Sequence, residues 1–275
     1  MEKAAAYRVC ILIPHFKTLD LTKFCLRSLR KCTDLSRVQL IVIDNGSKDA
    51  STEYLRGLPW ITLLERESAP GESGPAAHAR ALDLGLARAM APFVLSMHTD
   101  TITISPGWLD YLLAHIEADS RIAGVGSWKL GFRPWYRRLA MHLEGVWPAL
   151  RASLPRGFRR RGLGAADNRS LYLRSHCALY RTDLLRRFGL QFYDENKTAG
   201  KALHHRLEEQ GFIMKFLDPR DLARYVRHLN HATMILNPEI AGRKTGTEAA
   251  RRRLWRELDS LGFQEMLQDE SLDRL

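Results

Sequence analysis

The chain has 275 residues, of which 45% are hydrophobic and 27% charged, and carries a formal net charge of +11. That size is ample for one α/β domain with a buried core, and the balance excludes a disordered chain. The excess of arginine and lysine suits a partner bearing phosphate, whether a nucleotide, a nucleic acid or an anionic lipid surface.

The first residues, Met1 to Tyr7, lack the apolar stretch of a signal peptide, and no run of about 18 apolar residues follows. Neither export nor a membrane span is expected. Cys10, Cys25, Cys32 and Cys177 include no CxxC pair, which fits a reducing cytoplasm.

Val9 to Ile13 is apolar and rich in branched residues, a buried-strand signal closed by Pro14. Thr18 to Leu29 then carries Leu19, Leu21, Phe24, Cys25 and Leu29 at helical spacing, with Thr18 or Asp20 as a cap. Val38 to Ile43 is a second continuous strand and runs into turn chemistry at Asp44-Asn45-Gly46-Ser47, with a helix starting near Ser51. Trp60 to Leu64 is a third strand. Ser68 to Pro75 is a Gly/Pro/Ser-rich loop, Ala76 to Met90 a long helix, and Phe93 to Met97 a fourth strand.

Such alternation predicts a mainly parallel sheet with helices on both faces, which binds ligands beyond the carboxyl ends of its strands. Beyond it, Trp108 to Ile116 reads as helix and Ile122 to Ser127 as strand. Residues from about 128 to 170 change character, with tryptophans, tyrosines, prolines and many arginines, and are expected to form an insertion. Ser175 to Tyr180 and Phe212 to Leu217 read as strands, Thr182 to Phe188 and Ala199 to Gln210 as helices, and Thr247 to Leu267 as one charged amphipathic helix. The expected organisation is a catalytic domain over residues 1–245 followed by a carboxyl-terminal helix over 246–275.

Two polar clusters fall at strand ends. Asp44-Asn45-Gly46-Ser47-Lys48-Asp49 offers a carboxylate for a nucleobase edge or ribose, and equally makes an ordinary capping turn. His98-Thr99-Asp100-Thr101 offers two metal ligands separated by one residue, where a divalent ion would neutralise a diphosphate.

The segments VCILIPHFKTLDLTKFCLRSLRKC, VQLIVIDNGSKDASTEYL and AHARALDLGLARAMAPFVLSMHTDTITISPGWLD resemble the successive motifs of glycosyltransferase family 2. The likeness covers roughly residues 8 to 110 and continues more weakly through CALYRTDLLRRFGLQFYDE to about residue 235. It implies a GT-A, Rossmann-like fold and transfer of a sugar from a nucleotide diphosphate donor to a glycan or lipid-linked acceptor. Inversion and a place in bacterial surface-polysaccharide assembly are implied by the same resemblance.

It also implies roles. Asp44 and Asn45, with Pro14, His15 and Phe16 after the first strand, would hold the nucleoside; His98, Thr99 and Asp100 would hold the metal, ribose and diphosphate. The histidine at position 98 stands where the family has an acid, and imidazole suits manganese better than magnesium. A late histidine, His228 or alternatively His231, would close the metal site. Arg80 and Asp83, on the helix after the glycine-rich loop, would face phosphate and sugar, with His78 beside them.

An inverting transferase needs a carboxylate to take the acceptor's proton. Asp194 and Glu195 are the candidates: the resemblance implies an acidic pair on the helix before an arginine like Arg206, but the stretch KTAGKALHHRL that includes it contains no acid. That departure motivates a second reading, a nucleotide-sugar or glycan-binding protein without catalysis. In a third, the arginines and aromatics of 128–161 bind RNA or anionic lipid. No RNA-binding module is recognisable, so a peripheral contact with the inner face of the cytoplasmic membrane is expected ahead of nucleic acid.

Overall fold

Seven strands form the central sheet of the computed structural model, which describes residues 7–128, 171–194, 198–237 and 246–274. The chain divides into one unit of residues 1–130 with 172–275 and another of 131–171. The basic aromatic insertion and Glu195 lie outside the described residues.

In chain order the strands are β1 (Val9–His15), β2 (Val38–Asp44), β3 (Thr62–Glu65), β4 (Phe93–Met97), β5 (Thr101–Thr103), β6 (Ile122–Gly126), β7 (Cys177–Arg181), β8 (Ile213–Phe216) and β9 (Val226–His228). The main sheet runs β3-β2-β1-β4-β7-β6-β8, while β5 and β9 pair by themselves. β1 is parallel to β2 and β4, β2 to β3, and β6 to β8. Only β7 is antiparallel to its neighbours β4 and β6. The carboxyl ends of β1, β2, β4 and β6 therefore share one edge, and β7 begins there.

β1 explains why the sheet is covered on both faces. Val9, Ile11 and Ile13 enter one core, Cys10 and Leu12 the other, and all are fully buried. Alternation of pleat direction with no polar residue is what a strand buried on both sides requires. Pro14 is tolerated in this central strand because pairing with β4 ends at Leu12, leaving the proline opposite Ile43 of β2 alone.

The first core is closed by α1 (Leu19–Cys32) and α4 (Trp108–Glu117), with Trp108 fully buried. Between them in sequence lie α2 (Ala50–Arg56) and α3 (Gly74–Arg88), and Ala79, Leu82 and Leu86 of α3 enter the second core. Leu184 and Leu185 of α5 (Thr182–Arg187) and Leu203 and Leu207 of α6 (Lys201–Glu209) complete that second core. Two short helices, α7 (Pro219–Leu222) and α8 (Ala232–Leu236), flank β9.

The expected single tail helix is two, α9 (Glu248–Ser260) and α10 (Phe263–Gln268). Gly262 separates them with φ +72°, a left-handed conformation that glycine adopts without side-chain strain and that ends a helix. The break turns Phe263 onto Phe24 of α1 in an edge-to-face contact at 5.1 Å. The tail then meets the buried Arg27. Its Nε and Nη2 donate to the Asp273 carboxylate at 2.9 and 2.5 Å, and its Nη1 to the carbonyls of Met266 and Leu267. Tyr54 donates to the same carboxylate.

No helix among the described residues is long and apolar enough to cross a membrane.

Candidate functional site

Asp44 and Asp100 stand at the shared carboxyl edge on either side of β1, with Asp44 opposite His15 in register. Two strand spacings put those positions on the order of 10 Å apart across the sheet.

The turn after β2 is built around Asp44. Its Oδ1 accepts from the backbone N and the Oγ of Ser47, and its Oδ2 accepts from Thr52 Oγ1 at 2.7 Å. Ser47 Oγ in turn accepts from the backbone N of Lys17, so this carboxylate ties the loops after β1 and β2 together. A buried acceptor so fully engaged organises the loop before it can serve a ligand. Asn45 Oδ1 accepts from Arg66, which also clamps the half-buried Glu72 through Nη2. Arg80 reaches Glu72 at 3.3 Å and lies over the Tyr193 ring at 4.4 Å.

His15 is buried with both ring nitrogens engaged, Nε2 with Ser51 Oγ at 2.8 Å and Nδ1 with Thr22 Oγ1 at 3.0 Å. Burial lowers its pKa to about 4, against the opposing pull of Asp44 and Asp49. It supports the β1 end from within. Pro14 is also buried, leaving the partly exposed Phe16 and Lys17 as the surface of that loop.

The second cluster is assembled by the small sheet. β5 and β9 are antiparallel with Thr101 opposite His228, and the Leu229 amide donates to the Asp100 carbonyl at 2.8 Å. This brings His228 Nε2 to 3.2 Å and His98 Nδ1 to 3.6 Å from Asp100 Oδ1. Neither contact is a hydrogen bond, the second being too long for one, and Oδ1 is a buried oxygen with no hydrogen-bond partner. Metal bonds of about 2.1–2.2 Å at tetrahedral or octahedral angles place neighbouring donor atoms roughly 3.0–3.6 Å apart. Both separations from Asp100 fall in that range, and donor atoms of the three residues all lie within 4.8 Å of one another, close enough to converge on a shared divalent ion.

Two imidazoles and one carboxylate suit a transition ion. Burial alone would raise the Asp100 carboxyl, but the electrostatic pull of His228, then His98, holds it well below its usual range. His231 lies apart from this group, exposed at the start of α8 with φ +67°. Thr99, also buried, places its Oγ1 3.5 Å from Thr233 Oγ1.

Ser175 and His176, which carry no recognisable sequence signal, lie beside the cluster together with His78. Ser175 Oγ lies 3.0 Å from His98 Nε2 and 3.2 Å from His78 Nε2. His176 stacks on His228 with ring centres 4.6 Å apart and planes at 16°, and its Nε2 meets Ser127 Oγ. Burial lowers the pKa of His78 to about 3 and that of His176 well below the usual value.

Asp83, expected to face the donor sugar, accepts the backbone amides of Phe192 and Tyr193 at 2.6 and 3.0 Å, fastening the segment that leads to Asp194. Burial raises its pKa to about 6 although both amides oppose the shift. Asp194 pairs with Arg206 at 3.5 Å.

A second group of metal-type donors, His204, His205 and Glu208, lies on α6. His204 Nδ1 accepts the Leu173 amide, so the neutral ring carries its proton on Nε2 and directs it toward Glu208 rather than offering a lone pair. A cavity of about 370 Å³ lies elsewhere, between the end of α1 and the start of α4, and includes none of these residues.

Residues 10–189 match the model of the family described as glycosyl transferase family 2. No curated protein matches the chain. Similar solved structures include the mannosyltransferase PcManGT of Pyrobaculum calidifontis in complex with GDP-Man and Mn2+. It is 17% identical with a TM-score of 0.55, over 77% of this chain and 55% of that one. TarS 1–349 of S. aureus with UDP-GlcNAc is 18% identical with a TM-score of 0.47, over 73% and 52%. The glucosyl-3-phosphoglycerate synthase of Mycobacterium tuberculosis, with Mn2+, UDP and glucosyl-3-phosphoglycerate, is 20% identical with a TM-score of 0.41, over 66% and 59%. The chain spans a little over half the length of these proteins, and at such identity the likeness to the first is one of fold.

Proposed function

Because the chain belongs to glycosyl transferase family 2, we propose that it transfers one sugar, with inversion, from a nucleotide diphosphate donor to a glycan or lipid-linked acceptor. The observation that carries this reading is the convergence of His98 Nδ1, Asp100 Oδ1 and His228 Nε2 on one point at the ligand-binding edge of the sheet. A divalent ion held there, manganese ahead of magnesium, would offset diphosphate charge as the sugar–oxygen bond breaks.

The chain's own residues do the rest. The loop ordered by Asp44, with Asn45 and Phe16, lies on the nucleoside side of the edge. Arg80, anchored on Glu72 and stacked on Tyr193, sits between that loop and the segment carrying Asp194. Asp194, oriented by Arg206, is the base that takes the acceptor hydroxyl's proton as the oxygen attacks opposite the leaving nucleotide, and Glu195 is its alternate. The basic stretch 128–161 would rest on anionic lipid and present a lipid-linked acceptor, a role supported by its composition.

A panel of nucleotide sugars, assayed for hydrolysis and transfer with and without Mn2+, tests the reading. Turnover that needs the ion and is lost in Asp194→Asn is expected. Donor binding with no turnover, unchanged by replacing Asp194 and Glu195 together, would instead favour a binding protein, which the acid-free stretch before Arg206 also suits.

A further inference from the structure

Three arginines around the candidate site are paired with carboxylates, Arg66 and Arg80 with Glu72 and Arg206 with Asp194. Arg174 is held differently. Its guanidinium carbon lies 4.4 Å from the centre of the Trp128 ring and 4.7 Å from that of Tyr172, in the angle between two rings set edge to face. Its Nη1 donates to the Tyr172 hydroxyl, and no carboxylate pairs with it among the described residues.

Aromatic faces attract a cation but bring no net negative charge, so they fix the guanidinium without neutralising it. Stacking engages the faces of its plane, whereas the five N–H donors project from the edges in the fork that matches a phosphate or carboxylate. Among the described residues only one of those donors is used, on Tyr172. The backbone is fixed too. The Arg174 amide donates to the Ser127 carbonyl at 3.1 Å, and its own carbonyl accepts from the Cys177 amide at 3.3 Å.

We propose that Arg174 binds an anionic group, phosphate or carboxylate, carried by the acceptor. That the anion belongs to the acceptor rests on the transferase reading above; the anion site itself does not.

The order of the sheet assigns the anion to that side. Along the ligand-binding edge stand Asp44 at the end of β2, Asp100 after β4, residues 174–176 before β7, and Ser127 with Trp128 after β6. A donor with its nucleoside at Asp44 and its diphosphate at Asp100 directs its sugar toward β7, and an oxygen attacking opposite the nucleotide approaches from beyond that sugar. Arg174, bonded to the end of β6, lies on that far side. Ser175, the next residue, places its Oγ 3.0 Å from His98 Nε2, so the anion site borders the donor cluster without belonging to it.

The side-chain Nε–H signal of Arg174 in the 15N-labelled full chain, assigned by its loss in Arg174→Lys, reads the site directly when glucose 6-phosphate, glucuronate and glucose are added in turn. The charged probes are expected to shift it saturably and glucose to leave it unmoved; the stronger of the two tells phosphate from carboxylate. Affinity for that probe should fall about 10- to 100-fold in Arg174→Ala, the scale of a charge-assisted bidentate contact, and by less in Arg174→Lys, which keeps the charge and loses the fork. Calorimetric titration of UDP and GDP with Mn2+ should change by no more than about twofold in either variant, as expected for separate sites. A signal unmoved by both acids, or the same affinity in Arg174→Ala, overturns the proposal even where a nucleotide binds. Nucleotide affinity that falls as far as probe affinity gives Arg174 to the donor diphosphate and overturns it as well. Charged probes bound through Arg174 by a chain that takes neither nucleotide would support the anion site and sink the transferase reading.

Discussion

His228 Nε2 lies 3.2 Å from Asp100 Oδ1 because their strands pair, residue 228 opposite residue 101, across a separation of more than a hundred residues in sequence. The contact is close but unaligned for a hydrogen bond, the arrangement expected of two donors to one ion. His228→Ala and Asp100→Asn should each weaken Mn2+ by about 100-fold or more, beyond the effect of losing a supporting residue. Calorimetric titration checks this; His231→Ala, exposed and outside the group, should bind as the unaltered protein does.

The Arg27 guanidinium is fully buried and answered mainly by Asp273. Asp273→Ala leaves that charge with two carbonyls, so a loss of about 3 kcal/mol in denaturant unfolding is expected. Asp273→Asn, which keeps polar contacts, should lose less. A midpoint unmoved by Asp273→Ala would show that the tail does not clamp α1.

His15 gives the fold an acid limit. Its folded pKa, lowered to about 4 by burial, lies below the unfolded value of about 6.5, so the unfolded chain binds the extra proton between those values. Its contribution is complete above pH 6.5 and lost as pH falls toward 4, about 2 kcal/mol of it by pH 5. Urea unfolding at pH 7.5 and pH 5 should show the fall, and His15→Gln should flatten it by that amount.

Asp83→Ala removes the acceptor for two backbone amides, one of them on the buried Phe192. A stability cost of about 1–3 kcal/mol is expected, together with faster hydrogen exchange at Tyr193. Since Asp194 follows directly, transfer activity should fall in kcat more than in Mn2+ affinity. Equal losses in both would place Asp83 in the metal site instead.

Much of this is legible in the residues because burial on both faces writes itself as nearly continuous apolar runs: β1, β2 and β4 read that way, as does the turn at Asp44. The strands β5 and β9 were not. Each has three residues, too few for any periodicity, and they are defined only by each other. Asp100 and His228 were named as ligands without the ribbon that joins them. Asp83 reads as a donor contact from its place on α3, and nothing in its surroundings signals the two amides it accepts at Phe192 and Tyr193. Ser175 has no pattern around it, since its partners come from α3 and the end of β4. Gly262, lying within an amphipathic repeat, was read through as helix although its φ ends one.

The family match ends at residue 189, but the third proposed donor is at 228 and the strand that carries it begins at 226. A polypeptide cut at that border would retain two of the three proposed ligands and no partner for β5. If the three side chains do hold an ion, its retention would report on whether the later third of the chain has docked, and a nascent or clipped molecule would be poorly loaded before any substrate arrives.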